Sequence, residues 1–280
     1  MTEAIAVARP SETSNAEPPP PKSRRAGWIA PVLTALVCLA IWEAVIHLFA
    51  VPVYLMPPPS SIIREAITRY DFLFGHAVST GWAIILGFAW AVLVGVPVAT
   101  LMVYSDSFAR AIYPILITAQ VLPKVALAPL FIVWFGFGLL PKVVMTFLIA
   151  FFPIVIDTLA GLGAVRPESL MLLRSMGGSR WQSFWKVRLP TALPHMFAGF
   201  KIAMTFAVVG AIVAEFVASD AGLGYVLVEA RANLDMVLVF AAIFWLIAMG
   251  FVFFFAVELA ERVFVRGRSI KRGHELGAGL

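Results

Sequence analysis

The chain has 280 residues, of which 61% are hydrophobic and 13% charged, and its mean hydropathy is +0.93. A soluble domain carries about a quarter charged residues, so this composition excludes a single core wrapped in a water-facing surface, and lipid must be the solvent for most of the chain. The net charge of +5 does not point to nucleic acid, because basic residues of membrane proteins gather in cytoplasmic loops.

Residues 1–27 are rich in Pro, Ser, Ala and Glu, with a proline run from Pro18 to Pro21. Such a segment cannot bury enough apolar surface to order itself, so a disordered cytoplasmic tail is expected. Acidic residues precede its basic cluster Lys22, Arg24 and Arg25, and the following apolar run is long enough to span, which separates it from a signal peptide. A helix crossing a bilayer needs about 20 mostly apolar residues. Six segments qualify within a transmembrane domain at 28–264: 28–49, 78–104, 112–135, 143–162, 193–217 and 236–264. Pro114, Pro123 and Pro129 interrupt the third. Between the first two, Ser60 precedes Ile62, Ile63, Ala66 and Ile67, a spacing that fits either a short amphipathic helix on the outer surface or a packed loop. Residues 265–280 form a basic cytoplasmic tail.

Lysine and arginine set the orientation. With a cytoplasmic N-terminus, fifteen of the 21 lie in cytoplasmic segments and only Arg64, Arg69, Lys142 and Arg231 lie opposite, with Lys124 and Lys201 inside helices. This bias predicts a multi-pass membrane protein with both termini cytoplasmic.

The loop between the fourth and fifth segments, 166–190, is too polar to span and too apolar to be a plain linker. Leu170, Leu173 and Met176, then Trp181, Phe184 and Trp185, recur at helical spacing. Gly177 and Gly178 break the run, and Ser179 with Gln182 fits a capping box that starts a second short helix. Arg188, Leu189 and Pro190 are expected to end it. Two short amphipathic helices joined by a glycine turn, with aromatics on the surface, mark a partner-binding element.

This loop resembles the cytoplasmic loop of ABC-class importer permeases, whose pattern is E-A-A, three residues, G, nine residues, I, one residue, L-P. Gly177 matches the glycine, Val187 stands for the isoleucine, and Leu189 and Pro190 match the ending. Met171, Leu172 and Leu173 occupy the E-A-A positions, so the acidic residue is absent. The stretch from Val121 to Gly138, the run Ala150, Phe151, Phe152, Pro153 with Gly161, and Ala214, Glu215 through Gly222 to Tyr225 are similar to permeases of the nitrate, sulfonate and taurine importer group. The resemblance implies an all-α type I importer permease fold. It implies two copies of the permease, a homodimer, with cytoplasmic ATPase subunits seated on the loop and an extracytoplasmic solute-binding protein. ATP would be used by the partner ATPase, and this chain would bind no cofactor itself. The docking residues are expected to be Leu173, Met176, Gly177, Gly178, Ser179, Trp181, Phe184, Val187, Leu189 and Pro190. The implied substrate is a small anion such as a sulfonate, taurine, nitrate or bicarbonate, with a neutral heterocycle such as a thiamine or riboflavin precursor as the alternative.

Charged groups inside the membrane are the pathway candidates. Lys124 follows Pro123 in the third segment, where a charge costs at least ~2.5 kcal/mol and should face a cavity or a partner; it draws an anion through, pairs internally, or snorkels. Asp157 is a candidate partner for Lys124 or Lys201, and Glu215 for a gate or a pairing group. Gly199, Ala203, Ala207 and Ala211, like Gly87, Ala91 and Gly95, form small-residue stripes suited to close helix packing. The lone Cys38 and the scattered His47, His76, His195 and His274 show no metal-ligand spacing. No G-x-x-x-x-G-K-[ST] phosphate loop is present, and no cluster of catalytic groups suggests an enzyme. A secondary transporter is the remaining rival; it would have no need of a docking loop.

Overall fold

A computed structural model describes residues 26–217 and 219–265, and helices are the regular secondary structure in these residues. The expected tails at 1–27 and 265–280 therefore fall almost wholly outside the described residues. Five helical stretches are long and apolar enough to cross a membrane: Ala30–Leu48, Tyr70–Tyr104, Leu139–Gly163, Arg180–Val217 and Met236–Phe264. The first lies within helix α1 (Ala26–Leu48) and the second is α3 (Tyr70–Tyr104). The third is α6 (Leu139–Gly163), and the last is α11 (Met236–Phe264).

The third expected span is broken. Helix α4 (Asp106–Val121) stops before Pro123, a single 3-10 turn covers Lys124–Leu127, and α5 (Ala128–Phe135) sets off at 86° to α4. Pro123 cannot donate a backbone hydrogen bond, and it pushes Leu122 to extended geometry (ψ 133°). The chain nevertheless passes from one end of the bundle to the other through this bent pair. Helix α3 runs from His76 and Thr80, which contact the segment after Glu215, to Tyr104, which lies beneath Arg188. Helix α6 starts again beside Glu215 at Lys142 and finishes at Leu162, whose carbonyl accepts from Arg188. The link between them must cover the same distance, so the count of six crossings holds with a kinked third member.

The core lies where α3, α6 and α9 (Leu189–Val217) meet. Its residues are small or medium: Ala83, Ile84, Ala91, Ala150, Ile154, Ala203, Ala207 and Ala211 are buried together. Helices in lipid gain little from burying apolar groups against one another, so close backbone approach supplies the contact. Both glycine stripes serve this. A Cβ at Gly87 would run into Thr146, one at Gly199 into Asp157, and one at Gly210 would come 2.9 Å from Thr146 Cα.

Helix α2 (Pro59–Thr68) is the expected short amphipathic helix, burying Pro59, Ile62 and Ala66 and exposing Ile63 and Ile67. Glu43 of α1 holds its first turn, accepting from Ser60 N at 3.0 Å and Ser60 Oγ at 2.7 Å. Its other end meets α11, where Trp245 Nε1 donates to Ala66 O. Apart from such ties α1 is exposed along most of its length.

Candidate functional site

Two places concentrate unusual chemistry, one at each end of the bundle, with the Lys124 bend between them.

At one end lies the helix-turn-helix of the 166–190 loop. Helix α7 (Pro167–Ser175) closes in a Schellman turn: Gly178 N–H donates to Leu173 O at 2.9 Å and Gly177 N–H to Arg174 O at 3.0 Å. Gly177 has φ +76°, a conformation that Cβ-bearing residues adopt only at a cost. Helix α8 (Arg180–Ser183) opens on the expected capping box, with Gln182 N–H donating to Ser179 Oγ and Ser179 N–H to Gln182 Oε1. The second helix does not end at Pro190, however. It passes through a π turn at Phe184–Arg188 straight into α9, so that Arg180–Val217 is one continuous helix. The wide turn lets Leu189 N–H reach Phe184 O, five residues back, and absorbs the bond that Pro190 cannot make.

The side chains of this element divide by face. Met171, Leu172, Met176, Trp181 and Trp185 are exposed. Leu173, Phe184, Val187, Leu189 and Pro190 are half-buried; Leu173 lies against Gly178, and Phe184 packs with Tyr104 and with Leu162 and Ala192. Trp181, Phe184 and Trp185 contact one another ring to ring. An exposed aromatic surface thus stands at the start of the continuous helix that leads into the core.

At the bend, Lys124 is half-buried. Its Nζ lies 4.6 Å over the Phe152 ring and donates to Gln120 O at 3.3 Å. Asp157 does not pair with it. Nor does it pair with Lys201, whose ammonium is bonded to Glu261 of α11. Asp157 faces α9 across Gly199 and has no ion pair among the described residues. The spacing of charges along a sequence cannot reveal which side of a helix each faces, and Lys201 points toward α11 rather than α6.

At the opposite end Glu215 is 1% exposed and fully engaged. Thr80 Oγ1 donates to its carboxylate at 2.9 and 3.0 Å, and Gly224 N–H donates at 2.8 Å. Lys142 Nζ stands 3.6 Å away and donates to Ala221 O at 2.5 Å. Leu223 N–H donates to Thr80 Oγ1, and Gly222 N–H to His76 Nδ1. Gly222 has φ +119°, and any Cβ there would overlap the Glu215 carboxylate. The network ties the segment between α9 and α10 (Leu223–Ala232) to α3 and α6. Lys142, read from sequence as an outer-loop cation, is 3% exposed and belongs to this network. Pro141 sits in the first turn of α6, where its missing N–H costs nothing, so the helix begins earlier than its prolines and glycines suggest. Of the three pathway candidates, Glu215 is the one that stands beside an opposite charge, Lys142. Thr80, His76 and Lys142 were missed; the signal available was the Gly222-x-Gly224 pair shortly after a lone intramembrane acid.

Comparisons with known proteins follow the same lines. Residues 91–266 match the family described as binding-protein-dependent transport system inner membrane component. Over 241 residues the chain is 34% identical to the formylaminopyrimidine transport permease protein ThiX of Halalkalibacterium halodurans, covering 86% of this chain and 96% of that one. It is 30% identical to the taurine transport system permease protein TauC of Escherichia coli K12, covering 87% and 93%. Among solved structures, the inward-facing MetNI methionine ABC transporter shares the fold at a TM-score of 0.62 and 19% identity, over 69% of this chain and 96% of that one.

Proposed function

The chain belongs to the family of binding-protein-dependent transport inner membrane components, the permease subunits of ABC importers, and on that premise we propose that two copies form a solute pathway driven by cytoplasmic ATPase subunits. The observation that carries this reading is the exposed surface of Met171, Leu172, Met176, Trp181 and Trp185. It sits on a capped helix-turn-helix that runs without a break into α9. Apolar groups displayed this way call for a partner. A groove in an ATPase that closes on ATP binding would pull on α8, and the continuous Arg180–Val217 helix would carry the pull into the α3–α6–α9 core. The helix-turn-helix end is then cytoplasmic, a placement that the excess of Lys and Arg there supports, and the Glu215 end faces a solute-binding protein outside.

For the substrate, the reading we favour is a small heterocycle of the pyrimidine class. The match to the formylaminopyrimidine permease is closer than the match to the taurine permease, and two of the intramembrane lysines, Lys142 and Lys201, are held by Glu215 and Glu261. A small anion is the second reading. It is favoured by Lys124, which stands at the bend against a carbonyl and a ring face, with no ion pair among the described residues. The test is uptake into proteoliposomes containing the permease, its ATPase and its binding protein. ATP-dependent uptake of a labelled formylaminopyrimidine but not taurine supports the first reading, and the reverse supports the second. Uptake that proceeds without ATP contradicts the importer assignment.

A further inference from the structure

Behind the exposed aromatic face lies a cavity of about 250 Å³ between the helix-turn-helix and the turn joining α3 to α4. Arg174, Arg180 and Arg188 line it, with Ser183, Tyr104 and Asp106. Three guanidinium groups against one carboxylate leave the lining two positive charges in excess. Arg188 is held in place, its Nη1 donating to Leu162 O at 3.0 Å and its guanidinium 5.4 Å over the Tyr104 ring. Arg174 and Arg180 have no ion pair among the described residues, Asp106 included, and both are exposed.

We infer that this cavity binds a phosphate group, as the headgroup of an anionic lipid or as free phosphate. Guanidinium forks match phosphate oxygens in pairs. The cavity is built on the last residue of α3 and the first of α4, so it lies where membrane-crossing helices leave the hydrocarbon, at headgroup depth. Basic pockets at that depth on the cytoplasmic side suit anionic headgroups. A bound phosphate bridges α7 and α8 to the α3–α4 turn, and so fixes the helix-turn-helix on the bundle that it must move. The choice of ligand rests on the cytoplasmic placement proposed above; the binding itself requires no transport, so the two readings fail separately.

The test is a lipid titration of the full-length chain in detergent, read by native mass spectrometry, with phosphatidylglycerol and phosphatidylcholine as probes. Arg174→Gln/Arg180→Gln is compared with wild type, leaving the anchored Arg188 alone. Each arginine is expected to contribute roughly fivefold to phosphatidylglycerol affinity, about 25-fold for the pair, with phosphatidylcholine unaffected. Any basic segments elsewhere are common to both proteins and cancel. Arg174→Lys/Arg180→Lys keeps the charge but loses the fork, and it should fall between the two; it serves also if the glutamine variant is poorly folded. Displacement of the lipid by millimolar inorganic phosphate identifies free phosphate as an accepted ligand, and failure to displace identifies the lipid alone. Equal phosphatidylglycerol affinity in wild type and both variants, or no preference over phosphatidylcholine, overturns the inference.

Discussion

Replacing Glu215 with alanine removes the acceptor of two hydrogen-bond donors, Thr80 Oγ1 and Gly224 N–H, and the counter-charge of Lys142. Lys142 is 3% exposed and would keep only the neutral Ala221 carbonyl. Removing one partner of a buried pair costs about 3–5 kcal/mol, because the remaining charge is left uncompensated. Glu215→Gln keeps the volume and one acceptor oxygen, and its cost should fall to about 1.5–3 kcal/mol, the range of a hydrogen bond to a charged group. Lys142→Met should be milder than Glu215→Ala, since the stranded carboxyl can take up a proton and become neutral. The double replacement Glu215→Leu/Lys142→Met removes both charges together, and it should recover part of the loss. The assay is thermal unfolding of the purified chain in detergent, followed by tryptophan fluorescence. The expected order of stability is wild type, Lys142→Met, Glu215→Ala, with the double variant above Glu215→Ala. Glu215→Ala melting with wild type would refute the network as a structural tie, and a double variant no better than Glu215→Ala would refute the charge argument.

Three further outcomes are expected. Lys124→Met should leave heterocycle uptake unchanged but lower uptake of an anionic substrate by about tenfold or more, the value of one lost charge-assisted hydrogen bond. Gly210→Val forces a side chain against the Thr146 backbone, and overpacking of that kind should lower stability by about 1–3 kcal/mol in the same melting assay. Gly177→Val places a β-branched residue at φ +76°; it should cost about 1–2 kcal/mol locally and weaken ATPase co-purification while leaving the bundle folded by circular dichroism.

Much of this architecture is legible in the sequence because membrane crossing imposes a long apolar run and little else. The spans, the short helix after Pro59, the Gly177 turn and the Ser179–Gln182 cap are all local signals, and local signals survive folding. Pro123 breaks the third span, as its position suggests, whereas Pro190, expected to end the second short helix, is absorbed by a π turn because its surroundings let the helix widen. The Glu215 network was out of reach for another reason. Its members at positions 76, 80, 142 and 215 are joined only by the packing of α3, α6 and α9, and no periodicity within one helix encodes which residues meet across three. The same holds for Lys201, which finds Glu261 rather than Asp157.

The docking surface can be tried by co-expressing the chain with a neighbouring ATPase subunit and comparing wild type with Trp181→Asp/Met176→Asp, two exposed positions whose change should spare the fold. The expected result is that wild type retains the ATPase through purification, while the variant, melting at the same temperature, loses it and loses ATP-driven uptake. A variant that holds the ATPase as firmly as wild type and transports at the same rate would contradict the assignment of this helix-turn-helix as the coupling element.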